Sequence, residues 1–211
     1  MPYGYLGTTP NQQLNNSGVF SVEEALALKN EGELGGSLEL IFEQTTSGAV
    51  SFVDFTDIKE NVYDVHYLAF NNVHQDTDNK KLQVQLYESG VLETASVYQT
   101  ATQFYRADGT FIETNSTGTS GMRLTGNTGN DTNETSNGYF YGYNFGNSSK
   151  YSFLTFQSSD VDTTTGFQGE FGGGVLPQAS VVDGIRLNFT GGNIDSGSNF
   201  KLYGVKQIWV T

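Results

Sequence analysis

The chain has 211 residues and no cysteine, which suits one medium domain with an arm and excludes disulfides and thiolate metal centres. Ten Lys and Arg face 23 Asp and Glu, a formal charge of −13, and no basic run exceeds Lys80–Lys81. Nucleic acid needs clustered positive charge and an anionic membrane surface repels such a chain, so neither is an expected partner.

The composition points to strands. Hydrophobic residues make up 36%, but 15 Phe and 12 Tyr can each bury a large area. The 26 Gly, with abundant Asn, Ser and Thr, favour turns and strands over helices. No apolar run approaches the roughly 20 residues that span a bilayer. The opening "MPYGYLGTTPNQQ" has no charged or apolar leader region, so no secretory signal is expected.

Residues 1–19 are polar and aperiodic and read as an extended arm. "FSVEEALALKNEGEL" follows. Ser21 and Glu24 form a capping box with Phe20 as its staple, and Gly32 can end the helix. So short a helix is marginal alone and needs a surface to pack on. Residues 1–35 are thus an expected attachment segment, with Tyr3, Tyr5, Leu6, Phe20, Val22 and Leu26 as its contact residues.

From residue 36 the period changes to two, the signature of half-buried strands. "SLELIF" (37–42), "AVSFVDF" (49–55), "NVYDVHYLAF" (61–70), "KLQVQLYE" (81–88) and "ASVYQTATQFY" (95–105) read as strands. In the fourth, Leu82, Val84 and Leu86 face inward and Gln83, Gln85 and Tyr87 outward. Residues 106–138 are turn-rich, with one or two short strands, and read as a contact loop. "YFYGYNF" (139–145) and "KYSFLTFQS" (150–158) are strands; the first sets Tyr139, Tyr141 and Tyr143 on one face and Phe140 and Phe145 partly on the other. That tyrosine face suits sugar stacking, and equally a core or a subunit interface. The Gly-rich stretch 165–175 leads to the closing pair, and "GEFGGG" (169–174) within it reads as a sharp turn or bulge. Residues 181–211 read as a closing hairpin with a Gly/Asn/Asp/Ser connector. Eight to ten short strands in 36–211 predict an all-β, antiparallel, jelly-roll-like β-sandwich.

Catalytic signals are weak. His66 follows Asp64 on one strand face, but a nucleophile would have to arrive by folding; the bland reading is a half-exposed strand histidine. His74 sits in a polar turn and reads as solvated. Carboxylates such as Asp54, Asp57 and Glu170 show no glycosidase spacing. "GEFGGG" lacks the Lys-Ser/Thr ending of a phosphate loop. "DTD" (76–78) and "DVDTTTG" (160–166) offer oxygens in turns, which makes Asp160 and Asp162 candidate calcium ligands, though neither stretch fits an EF-hand. No enzyme, cofactor or metal centre is assigned.

Two separated stretches carry a resemblance. "NVYDVHYLAFNNVHQDTDNKKLQVQLYESG" (61–90) and "VVDGIRLNFTGGNIDSGSNFKLYGVKQ" (181–207) are similar to the β-sandwich of virion structural proteins in tailed bacteriophages, notably marine cyanophages. In that module an aromatic strand passes through a polar D-x-D turn, and the chain closes on a G-I-R…GNI-x-SG…LYG motif. Here the motif includes Asp183, Gly184, Gly192, Asn193, Gly197 and Gly204. The opening residues also resemble cyanophage tail or fibre components. The resemblance implies a non-enzymatic virion component, assembled in the host cytoplasm among other tail or capsid proteins, homo-oligomeric, with host surface glycan as a further contact. The loops 106–138 and 165–175 would then face outward. A capsid decoration protein and a carbohydrate-binding module are the alternatives.

Overall fold

The computed structural model describes Glu23, which is helical, and residues 37–163 and 166–206. Apart from Glu23, the predicted helix lies outside the described residues, as do the contact residues Tyr3, Tyr5, Leu6, Phe20, Val22 and Leu26. A compact unit begins at Ser37. No helix among the described residues is long and apolar enough to cross a membrane.

The strands are β1 (Leu38–Thr45), β2 (Val53–Phe55), β3 (Val65–Val73), β4 (Leu82–Glu88), β5 (Val91–Leu92), β6 (Tyr98–Arg106) and β7 (Phe111–Thr119). They continue with β8 (Met122–Arg123), β9 (Ser136–Tyr143), β10 (Ser152–Asp162), β11 (Gly166–Leu176), β12 (Val182–Phe189) and β13 (Asn199–Val205). An eight-stranded sheet runs β1-β13-β3-β9-β10-β11-β6-β7, and a five-stranded sheet runs β2-β12-β4-β5 with β8 also on β4. All pairings are antiparallel. The fold is an all-β sandwich with jelly-roll-like wrapping: the chain changes sheet between β1 and β2, β2 and β3, β3 and β4, β5 and β6, on either side of β8, and on either side of β12.

Period-two patterning puts one face of each sheet into a shared core. Leu82, Val84 and Leu86 of β4 meet Leu68, Phe70, Phe140 and Leu202 of the large sheet. On β12 the apolar spacing slips by one between Val182 and Ile185, and the register shifts there, so both side chains stay inside. The buried Tyr98 hydroxyl accepts from Leu86 N at 2.9 Å and donates to Glu93 O at 3.1 Å, so its polar end costs little.

Three expectations are corrected. The last two strands form no hairpin. β12 lies in the small sheet between β2 and β4, and β13 lies in the large sheet between β1 and β3. Residues 190–198 cross the end of the sandwich, held by buried Ile194 bridging to Val50 and Gln75. Burying Ile194 between the sheets is incompatible with a tight turn. The stretch 166–175 is no turn: β11 occupies it and pairs with β10 and β6. Gly172, Gly173 and Gly174 pack closely against neighbouring backbone; a Cβ on Gly172 would lie 2.4 Å from Ala101 O. Nor is 106–138 a single outward loop. β7 is an edge strand, and Met122, Leu124 and Thr125 plug the core.

Candidate functional site

The outward face of the large sheet is where the sequence departs from an ordinary solvated surface. Register alone places Tyr203, Tyr67 and Tyr141 side by side across β13, β3 and β9. Tyr67 lies 5.0 Å from Tyr141, 5.6 Å from Tyr139 and 5.9 Å from Tyr203, and Tyr141 stacks on Tyr143 at 6.4 Å. Such cross-strand aromatic pairs stabilise a sheet modestly. Burial among these rings, and then their own charges, push the Tyr67 hydroxyl up, so it stays a neutral hydrogen-bonding group.

The same lateral row continues from Tyr141 to Thr155, Gly173, Ala101 and Asn115 on β10, β11, β6 and β7. Side-chain bulk drops sharply there and leaves a groove. Its main section, about 470 Å³, has Thr155, Gly173 and Ala101 as floor and Phe153, Asn115 and Gln99 among its walls. A second section of about 400 Å³ shares Thr155 and is walled by Tyr139, Tyr141, Gln157 and Phe171. A third, about 250 Å³, shares Ala101 and Asn115 and reaches Gln103 and Glu113. Phe153 is 44% exposed and Phe171 47% exposed. Tyr139 donates to Gln157 Oε1 at 3.2 Å, and the Tyr143 and Thr155 hydroxyls are 3.2 Å apart.

The inner face of the same strands carries a second cluster. Ser158 and Asp160 of β10 stand directly across from Glu170 and Gln168 of β11. Gln168 Nε2 donates to Asp160 Oδ1 at 2.5 Å and to Asn127 O at 3.2 Å. Asp160 Oδ2, Gln168 Oε1 and both Glu170 oxygens have no hydrogen bond of ordinary geometry. Burial pushes the Asp160 carboxyl up to about 7, with Gln168 opposing and Asp162 adding to the shift. Burial likewise lifts Glu170 to about 8, eased by the Thr102 hydroxyl and raised further by Asp160. These two carboxyls, 3% and 1% exposed, lie inside the sandwich and meet no substrate from there.

The candidate calcium ligands therefore sit differently from expectation. Asp160 and Asp162 point inward from a strand, and Asp162 pairs with Arg106 at 3.3 Å. Among the described residues no group of three His, Asp or Glu could hold a metal ion. His66 is fully buried, where a half-exposed position was expected: its Nε2 lies 2.8 Å from Ile58 O and its ring stacks on Phe145 at 5.2 Å. Burial pushes its pKa down, which keeps it neutral. Asp54 belongs to another group, accepting from Arg186 Nε at 2.7 Å and from the Tyr87 hydroxyl at 2.8 Å.

The motif residues gather at one corner. Asp76 accepts from Asn193 N at 2.8 Å and Asn193 Nδ2 at 2.7 Å, which holds its carboxyl below the usual range. His74, expected to be solvated, lies 2.9 Å from Asp195 Oδ2 and 3.1 Å from Asp131 O. The D-x-D turn and the GNI segment, distant in sequence, are thus bonded to each other. Gly192 has φ +76, and a Cβ there would meet Thr77 Oγ1 at 2.5 Å, so only glycine fits. Gly197 also has positive φ, and its N–H donates to Thr46 O at 2.8 Å. Gly204 lies flat on the Tyr63 ring, 2.3 Å from where its Cβ would be. Gly184 is at the β12 register shift, and Asp183 beside it is half-buried. None of these residues lines the groove.

Sequence reasoning singled out Tyr139, Tyr141 and Tyr143 but missed Tyr67, Tyr203, Phe153, Phe171 and the Gly173 floor. The alternation in "KYSFLTFQS" could have found Phe153; Phe171 was hidden by reading its glycine-rich strand as a turn. Compared with known proteins, the chain matches no family model, no curated protein and no solved structure.

Proposed function

We propose that the protein is a non-enzymatic structural component of a tailed-bacteriophage virion, fastened through residues 1–35 and making its outward contact through the exposed face of the large sheet. The observation that carries this reading is that face: an uninterrupted sheet surface covered by a tyrosine cluster and cut by a groove with exposed phenylalanine walls. Exposed aromatic area on this scale is a contact surface, since it contributes nothing to the core. The virion assignment draws support from the two motif stretches at 61–90 and 181–207, which the Asp76–Asn193 and His74–Asp195 contacts knit into one corner. The stretches 106–138 and 165–175 reach this face as strands β7 and β11 and not as loops, and Met122, Leu124 and Thr125 of the former plug the core.

The groove favours a second reading, a carbohydrate-binding module outside a particle. Cryo-electron microscopy of purified phage carrying this chain separates the two. Density at the tail, with the segment before Ser37 seated on a neighbour and the large sheet facing solvent, is the expected result. Density spread over the capsid lattice makes it a decoration protein. Absence from the particle overturns the virion reading and leaves the binding module.

A further inference from the structure

We infer that the groove on the large sheet binds a neutral polysaccharide chain, its sugar rings stacked on Phe171 and Phe153 and its hydroxyls bonded by Asn115, Gln157 and Thr155. The inference names the ligand class of the contact face proposed above and rests on that reading.

The first ground is shape. The sections share Thr155, Ala101, Asn115 and Phe171, so they form one depression running across the strands from β9 to β7. At about 4.8 Å per strand interval that is a length of roughly 19 Å. It is open along its top and suits a chain rather than an enclosed small molecule.

The second ground is chemistry. Outward positions from β9 to β7 hold Phe and Tyr rings beside Gln, Asn, Thr and Ser, with Ala101, Val161 and Val175 as the aliphatic side chains and no Leu, Ile, Met or Arg. Protein interfaces enrich aromatic rings together with Met and Arg. Flat rings alternating with uncharged amides and hydroxyls match a pyranose, which has apolar faces and a polar rim. The third ground is charge. Glu113 is the charged group lining the groove, and the Lys201 ammonium on this face is paired with Glu43 at 3.2 Å. With a net charge of −13 the chain repels acidic glycans and a second copy of itself alike.

The test is native affinity electrophoresis of the full chain in gels cast with hydroxyethylcellulose, laminarin, galactomannan or dextran, with alginate as the acidic counterpart. Light scattering at the same concentration reads the oligomeric state. The expected result is retardation in at least one neutral polymer, weakened roughly three- to tenfold by Phe171→Ala and by Phe153→Ala. Phe171→Tyr, which keeps the ring, and Phe52→Ala, just before β2 and outside the groove, retain it. Both phenylalanines are exposed, so unchanged thermal midpoints identify folded variants. No retardation in any neutral polymer overturns the inference, as does retardation in alginate alone or retardation indifferent to both alanine variants. A dimer that Phe171→Ala dissolves, with no polymer bound, gives the face to a second copy and also overturns it. Particle imaging reads the virion assignment separately, so failure of one is distinguishable from failure of the other.

Discussion

The two halves of the β10–β11 pair make opposite use of the same geometry. Around Leu154, Phe156 and Leu176 the inward side chains are apolar, as in any sandwich. A few residues further along, the inward positions are Ser158, Asp160, Gln168 and Glu170, while Phe167 and Phe171 point outward. Alternation of side chains is fixed by the strand, but which set goes inside is decided by what lies across the sandwich. The first half faces the small sheet. The second faces the segment around Gly126, whose backbone lies on Phe104 and Gln168. The lesson is that polarity can be inverted locally where a polar loop replaces the second sheet, and that the aromatic residues so displaced become surface.

Substitutions at the two ends should differ in size and in sign. Phe140→Ala, in the apolar half beside Leu68 and Phe156, should cost the most, about 3–5 kcal/mol in urea unfolding, because it leaves a cavity. Glu170→Gln in the inverted half should act the other way. The folded carboxyls of Glu170 and Asp160 titrate near 8 and 7, while in the unfolded chain they lose their protons near 4.5 and 3.8. Their contribution is therefore full below the unfolded values and is lost as pH rises through this window, levelling above about 8. Arg106 opposes the Asp160 shift, Arg123 and Lys81 oppose that of Glu170, and Asp162 reinforces that of Asp160. Unfolding midpoints from pH 5 to pH 8 should fall in the wild type. Glu170→Gln should flatten that slope and stabilise at pH 8 by roughly 1–3 kcal/mol. A wild-type slope of zero would mean that these carboxyls are ionised in the fold.

Gly192→Ala sits away from both halves and tests the corner instead. It forces a side chain into positive φ against Thr77 and Asp76, and should cost on the order of 1–3 kcal/mol by thermal unfolding. The smallest effect belongs to Phe171→Ala, an exposed ring on the outward face, expected to shift stability by less than about 0.5 kcal/mol. A large loss there would show that the ring is part of the fold and not a contact.

Much of the strand content was legible. "KLQVQLYE" alternates cleanly and became β4 with Leu82, Val84 and Leu86 fully buried. "YFYGYNF" divided its tyrosines and phenylalanines between the two faces as its spacing requires. The groove was less legible, because half of it consists of what is missing: small side chains at Gly173 and Ala101, on strands distant in sequence, between bulkier neighbours. The inverted cluster was hidden because Ser, Asp, Gln and Glu at alternating positions read as a solvated face or a turn.

The sequence by itself determined an all-β chain without thiol chemistry or a basic binding surface, since composition and period two act locally on every strand. It also determined which residues share a face within each strand. Only the tertiary structure decided which sheet each strand joins, that β12 and β13 part company, and that Glu170 lies inside while Phe171 lies outside. Those choices depend on lateral pairing and on what covers each face, and both are set by residues far away along the chain.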